Sequence, residues 1–337
     1  MPDIKRVLIF QTAYLGDVVL TTPLISALRR QFQNAKIDIV AQPAWTPLLE
    51  NHPEINCVIA FDKRGIEAGL SGTFRFAGKL RKVSYDMALC PHPSFRSALI
   101  LWLARIPYRI GFHDSAGSFF FTRTVRRDAG EHEVRRVLGL MEPLGALDKE
   151  YLPRISLPEE PKIEQLMARL GISGKKLVGL HPGSVWATKR WTEKGFAQLA
   201  GSLSQKYDQV LVFGGSGEKE LSARITKQAG GSTVDLGGKL DLLELCAVIS
   251  RLGLFVTNDS GPMHIAASFQ IPIVAIFGST VPALGYTPYG TSSRIVEVDL
   301  DCRPCGSHGF KTCPQKHFRC MKDIDVDMVM AACESIA

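Results

Sequence analysis

The chain has 337 residues, 45% apolar and 22% charged, an ordinary globular balance with length enough for about two domains. No apolar run approaches the roughly 18–20 residues of a membrane span. The formal charge of +7 suits an acidic substrate, a phosphorylated lipid surface or nucleic acid, but no zinc-finger spacing or aromatic RNA-binding signature stands in the chain, so nucleic acid is not an expected partner.

The first apolar run, RVLIF (6–10), reads as a core strand rather than a signal peptide, so the expected compartment is the cytoplasm. A short loop ending at Gly16 follows, and then DVVLTTPLISALRRQF predicts a helix with Val18, Val19, Pro23, Leu24 and Leu28 on one face. Asp17 stands where that helix begins. It is either a helix cap or a carboxylate held at a strand end for chemistry. KIDIVAQ, CVIAF and DMALC predict further short buried strands with helical segments between them, the pattern of a parallel sheet covered by helices.

The stretch 148–161, DKEYLPRISLPEEP, is rich in proline and charge and predicts a linker. Beyond it the alternation restarts. Strands are expected in KLVGLHPG, QVLVFGG, GLFVTND and PIVAIFG, and helices near 162–170 and in EKGFAQLAGSLSQKY, LDLLELCAVISRL and GPMHIAASF. In open α/β sheets ligands bind beyond the carboxyl ends of the strands, so the loops there are the candidates. HPGSVWATKRW supplies Ser184, Thr188 and Lys189, a small-residue loop with hydroxyls and a cation that suits an anion. FGGSGEKE matches neither the dinucleotide fingerprint nor the P-loop, but its Glu218 or Glu220 suits ribose hydroxyls. TNDSGPMHIAA sets Ser260 and Gly261 at a helix N-terminus, where free N–H groups favour phosphate. Asp259 suits sugar hydroxyls, and His264 follows on the first turn. Each loop has a structural alternative, Ser260 as a plain helix cap and His181 and His264 as core histidines. Three such loops in one half-chain all go to one rim.

These stretches, with FGSTVPALGYTPYG, resemble the lipopolysaccharide heptosyltransferases of glycosyltransferase family 9 almost end to end. PHPSFRSALILWLARIPYRIGF and CRPCGSHGFKTCPQKHFRCM make the chain most similar to the heptosyltransferases II within that family. The resemblance implies a GT-B fold: an N-terminal acceptor-binding Rossmann-like domain (1–155), a C-terminal ADP-sugar-binding one (156–322), a cleft between them, and a last helix (323–337) packing back toward the first domain. It implies an inverting transfer of heptose from ADP-heptose to the heptose–Kdo inner core on lipid A, at the cytoplasmic face of the inner membrane, with peripheral attachment.

The resemblance makes Asp17 the catalytic base. It puts Lys189 on the diphosphate with Ser184 and Thr188 beside it, Ser260 and Gly261 on phosphate, Asp259 on the heptose, His264 next to that site, Glu218 on ribose, and Lys239 and Leu240 beside the adenine. It implies no cofactor and no metal, although DLD (299–301) and DIDVD (323–327) have the spacing of a metal-binding D-x-D. The loop or helix-start cations Lys63, Arg64 and Arg96 are candidates for the acceptor's carboxylates and phosphates, with solvated surface charge as the alternative. Ser118 to Phe121 (SFFF) is a candidate membrane patch, with core packing as the competing fate.

Of eight cysteines, Cys57, Cys90, Cys246 and Cys333 are expected as small core residues. Cys302, Cys305, Cys313 and Cys320 form C-x2-C-x7-C-x6-C, open to a structural metal but without the tight second pair of a zinc ribbon. Two other readings stand beside the leading one. One is a family 9 enzyme with another sugar or acceptor, the first heptosyltransferase included. The other is a nucleotide-sugar-binding module without catalysis.

Overall fold

The computed structural model describes residues 3–145 and 150–336. It divides into two compact units, Met1–Ser156 and Leu157–Ala337. The divide falls one residue after the expected boundary, inside the proline-rich stretch, whose Asp148 and Lys149 lie outside the described residues. The stretch reaches less far than expected, because a helix already begins at Glu160.

The first unit holds β1 (Arg6–Phe10), β2 (Lys36–Ala41), β3 (Cys57–Ala60), β4 (Met87–Cys90), β5 (Tyr108–Phe112) and β6 (Arg123–Val125) in the order β3-β2-β1-β4-β5-β6. The second holds β7 (Leu177–His181), β8 (Gln209–Val212), β9 (Thr233–Asp235), β10 (Leu254–Asn258), β11 (Ile273–Ile276) and β12 (Ser293–Val296) in the order β12-β11-β10-β7-β8-β9. Every neighbouring pair runs parallel. Parallel strands are covered on both faces, which is why the central ones read as unbroken apolar runs such as VLIF and LFV. The two units therefore repeat one Rossmann-like design, the GT-B pattern.

The helix Leu15–Gln31 is buried around most of its girth rather than on one face, Val18 to Ile25 all lying inside. Its interior Pro23 has no N–H to give the Val19 carbonyl. The Thr22 hydroxyl donates to that carbonyl instead, at 2.7 Å. The same hydroxyl accepts the Arg154 N–H at 2.9 Å, tying the end of the first unit to this helix.

The last helix, Val326–Glu334, divided from the second domain at 323 in the expectation, belongs to the second unit. It buries Val329 and Cys333 in the second unit's core, with Leu180, Trp191, Phe196 and Val256. The Trp191 indole N–H donates to the Ile324 carbonyl at 2.9 Å and holds the approach to the helix. Its apolar stripe needed a face to cover, and its own domain supplies one. Cys90, Cys246 and Cys333 are buried as expected; Cys57 is exposed, because it opens β3 at the sheet edge.

Candidate functional site

Each sheet reverses its strand order once, between β1 and β4 in the first unit and between β7 and β10 in the second. Crevices for ligands form beyond the carboxyl ends of the strands at such points. The loops that follow these four strands carry most of the residues singled out above.

In the second unit, Asn258 at the end of β10 binds the two loops together. Its Nδ2 donates to the Pro182 carbonyl at 2.8 Å and its Oδ1 accepts the Trp191 N–H at 3.0 Å. Lys189 Nζ lies 2.7 Å from Asp259 Oδ2, both side chains almost wholly buried. The Thr280 hydroxyl donates to the same oxygen at 2.6 Å. A cation expected at phosphate and a carboxylate expected at sugar are thus one buried pair, each holding the other in place.

Glu218 accepts the Gly215 N–H at 2.9 Å and lies 3.9 Å from the His181 ring. Burial lowers the His181 pKa, opposed by Glu218. Gly183 is glycine because the Glu218 carboxylate lies on its backbone: a Cβ there would come within 2.0 Å of Oε1. Glu218 is therefore brought to the Ser184–Lys189 loop, while Glu220 is exposed on the following helix. Ser260 occupies the N-cap of the helix Gly261–Ser268 but makes no capping bond with its side chain, which lies 3.3 Å from the Thr257 hydroxyl. The plain-cap reading of Ser260 fails. His264 is buried one turn on.

Two expectations change. Thr188 is not available to a ligand through its hydroxyl. It accepts from Phe310 N at 2.8 Å and Ser279 Oγ at 2.9 Å, and its own donor faces the Phe310 carbonyl at 3.2 Å. It fastens the cysteine-rich segment against the lysine loop, where Gly309 passes so close that a Cβ would lie 3.1 Å from Thr188 Oγ1 and 3.2 Å from Lys189 Cγ. Lys239 folds back on its own turn, donating to the Asp235 carbonyl at 2.7 Å, and Leu240 next to it is half-buried.

In the first unit, Asp17 is the third residue of its helix. Its Oδ2 accepts the Tyr14 N–H at 3.1 Å, so it does cap the helix start. Its Oδ1 has no partner from another described residue. An unperturbed cap carboxylate would titrate near 3.8; here the pKa is raised to about 6. Desolvation is the largest cause and the charge of Glu133 the next, opposed by the Tyr14 N–H and by Arg127. The helix N-terminus alone does not hold Asp17 at an ordinary carboxylate value. His92, in the loop after β4, lies 3.1 Å from the Thr12 hydroxyl after β1. Burial and the nearby Lys63 charge pull its pKa down to about 4, so it is neutral at pH 7.

The three expected acceptor cations separate. Arg64 is exposed and makes no hydrogen bond or ion pair among the described residues. Lys63 Nζ donates to the Thr12 carbonyl at 2.7 Å, in the Asp17 loop, and its pKa is lowered by burial and by Arg64 and Arg96. Arg96 is taken up by structure. It donates to Thr73 Oγ1 at 2.8 Å and to the carbonyls of Lys63, Glu67 and Gly69, and it stacks 4.9 Å over the Phe61 ring. Its side chain closes the 63–69 loop from inside, because a planar fork meets several carbonyls at once.

His92, Thr280 and Asn258 were missed by sequence reasoning. His92 had a usable signal, since it stands two residues past a predicted strand; Thr280 and Asn258 had only their polar character next to strand ends. All eight cysteines are free thiols. Among the described residues no group of three or more His, Cys, Asp or Glu is placed to hold a metal ion, and no helix is long and apolar enough to cross a membrane.

The family model described as glycosyltransferase family 9 (heptosyltransferase) matches residues 73–317. The chain is 30% identical over 330 residues to lipooligosaccharide heptosyltransferase 2 of Campylobacter jejuni, covering 96% of this chain and 97% of that one. It is 29% identical to lipopolysaccharide heptosyltransferase 2 of Escherichia coli K12 over 87% of this chain and 88% of the other. Among solved structures it matches a glycosyltransferase family 9 protein from Veillonella parvula with a TM-score of 0.89 at 27% identity, over 98% of this chain and 96% of that chain. It matches E. coli ADP-heptose LPS heptosyltransferase II with a TM-score of 0.81 at 25% identity, over 98% of each.

Proposed function

We propose, from the premise that this chain belongs to glycosyltransferase family 9, that it is a heptosyltransferase moving L-glycero-D-manno-heptose from ADP-heptose to the heptose–Kdo inner core of lipopolysaccharide. One observation carries the chemistry: Asp17 stands at the strand-order reversal of the first sheet, its carboxylate bonded by backbone N–H groups alone and its pKa raised to about 6.

In this reading the first unit supplies the base and the second holds the donor. The acceptor hydroxyl gives its proton to Asp17 as its oxygen attacks the anomeric carbon from the face opposite ADP, inverting that centre. A carboxylate with a pKa of about 6 is a stronger base than an ordinary aspartate and is still mostly ionised at pH 7. ADP departs as an anion, so no general acid is needed. Lys189 and the N–H groups at Ser260 and Gly261 meet the diphosphate, and no metal is called for. Asp259, fixed by Lys189 and Thr280, keeps an oxygen for heptose hydroxyls. Glu218, which lies on Gly183, accepts from the ribose hydroxyls in this reading. Lys63 and Arg64 are the cations for the acceptor's anionic groups. The enzyme works at the cytoplasmic face of the inner membrane.

The test is turnover of ADP-heptose with acceptors bearing no heptose or one, with Asp17→Asn alongside. Transfer to the one-heptose acceptor alone, abolished by the substitution, is the expected result. Transfer to the heptose-free acceptor moves the assignment to the first addition. ADP binding without transfer to either overturns the reading in favour of another sugar or acceptor, or of a binding module.

A further inference from the structure

Three consecutive phenylalanines follow Ser118, and only one of them turns inward. Phe121 packs against the first unit's core. Its ring lies on Gly111 of β5, where a Cβ would meet it at 2.2 Å. Phe119 points out, 72% exposed. Phe120 lies between, its ring 4.3 Å from Phe119, 5.3 Å from Trp102 and 5.7 Å from Phe95. Phe95 and Trp102 come from the helix Phe95–Leu103 and are themselves 46% and 49% exposed, and Tyr108 at the start of β5 is 40% exposed. Gly117 lets the turn lie this close to the helix, since a Cβ there would come within 2.9 Å of Ala98 Cβ. Phe95, Trp102, Phe119 and Phe120 thus form a connected set of rings on the surface, held by a helix and a short turn.

The charge of this stretch of the chain is one-sided. Residues 95–127 contain six arginines and one acidic residue, Asp114. Arg105, just past the helix that carries Trp102, and Arg123, on the edge strand β6, are exposed and have no ion pair among the described residues. Arg109 is used internally, donating to the Phe120 carbonyl at 2.7 Å, which fixes the turn that presents Phe119. Contiguous exposed rings on a soluble surface mark an interaction site. Trp, Tyr and Phe flanked by arginines match the headgroup region of an anionic bilayer, apolar inward and basic toward the phosphates. The helix start that carries Phe95 follows the loop after β4, the rim on which Asp17 also lies.

We infer that the surface made by Phe95, Trp102, Tyr108, Phe119 and Phe120, with Arg105 and Arg123, is the face by which this protein docks on an anionic phospholipid bilayer. The inference locates the membrane attachment in the functional reading above, but binding to vesicles does not depend on turnover.

The experiment is flotation of the full-length protein with phosphatidylethanolamine–phosphatidylglycerol vesicles and with phosphatidylcholine vesicles, at low salt and at ~0.5 M salt. The wild type is expected on the anionic vesicles and released by salt. Trp102→Ala with Phe119→Ser is expected to weaken binding at least tenfold. Arg105→Glu and Arg123→Glu should each weaken it about fivefold or more. All three variants leave transfer to a soluble, delipidated acceptor unchanged. Equal binding by wild type and the double aromatic variant overturns the proposal, as does binding to neither vesicle. Loss of a homodimer in the aromatic variant, without vesicle binding by the wild type, also overturns it and gives the surface to a second copy. Vesicle binding by a protein that fails to turn over ADP-heptose leaves the surface standing and removes the functional reading instead.

Discussion

Replacing Asp17 by Asn separates a cap from a chemical carboxylate, because it keeps the shape and removes the charge. The amide oxygen can still accept the Tyr14 N–H that Asp17 Oδ2 accepts at 3.1 Å. What disappears is a carboxylate whose pKa is raised from 3.8 to about 6, chiefly by desolvation. A shift of ~2 units corresponds to ~3 kcal/mol at most, at ~1.4 kcal/mol per unit. Asp17 is partly exposed, so solvent takes back part of this, and ~1–2 kcal/mol is the expected cost of its charge at neutral pH. The sign follows from where the protons sit. Between pH ~4 and pH ~6 the folded chain keeps a proton that the unfolded chain has released, so stability falls as pH rises through that window and is flat above it. Asp17→Asn should lack this decline. Thermal unfolding followed from pH 4 to pH 8 should show the variant ~3–6 °C more stable at pH 7.5 and level with the wild type near pH 4. Turnover should run the other way, rising in the wild type through pH ~6 and falling at least a hundredfold in the variant. A variant that is less stable at pH 7.5, unfolds with the same pH dependence and still turns over would refute the argument and leave Asp17 a helix cap.

Lys189→Ala should abolish the thermal stabilisation by ADP and destabilise the protein by leaving Asp259 with Thr280 alone. Adding Asp259→Asn should recover stability but not turnover, as unfolding and kinetics on the same samples would check. Gly183→Ala puts a Cβ where the Glu218 carboxylate lies. That flexible carboxylate can swing away, so calorimetry should show ADP binding about tenfold weaker with melting changed by no more than ~2 °C. Arg96→Ala should cost ~1–3 kcal/mol by opening the 63–69 loop, read by unfolding and by faster proteolysis there. Arg96→Lys should not restore it, since a point charge cannot reach several carbonyls together.

Much of the fold was legible because it is written locally. Central strands such as Arg6–Phe10 and Leu254–Asn258 are built on unbroken apolar runs, VLIF and LFV, and the strand-end rule sent Asp17, Lys189, Asp259 and Ser260 to the two rims where the strand order reverses. The strands Tyr108–Phe112, Arg123–Val125, Thr233–Asp235 and Ser293–Val296, the last three at sheet edges, were not recognised, since short strands with polar residues lack that signature. Among the site residues, type and loop were enough to nominate a carboxylate or a cation, but not to say what each one touches. Arg96 looked like a ligand cation until carbonyls 27 to 33 residues away in the chain closed around it. Thr188 looked like a donor contact until Phe310, 122 residues on, took up its hydroxyl. The pKa of Asp17 depends on desolvation and on Glu133, neither of which its neighbours in sequence reveal. The chain order of apolar and polar residues by itself determined which elements form and which loops reach the rims. Hydrogen-bond partners, burial and the outward turn of Phe119 were decided only by the tertiary structure, because they depend on segments distant in sequence meeting in space.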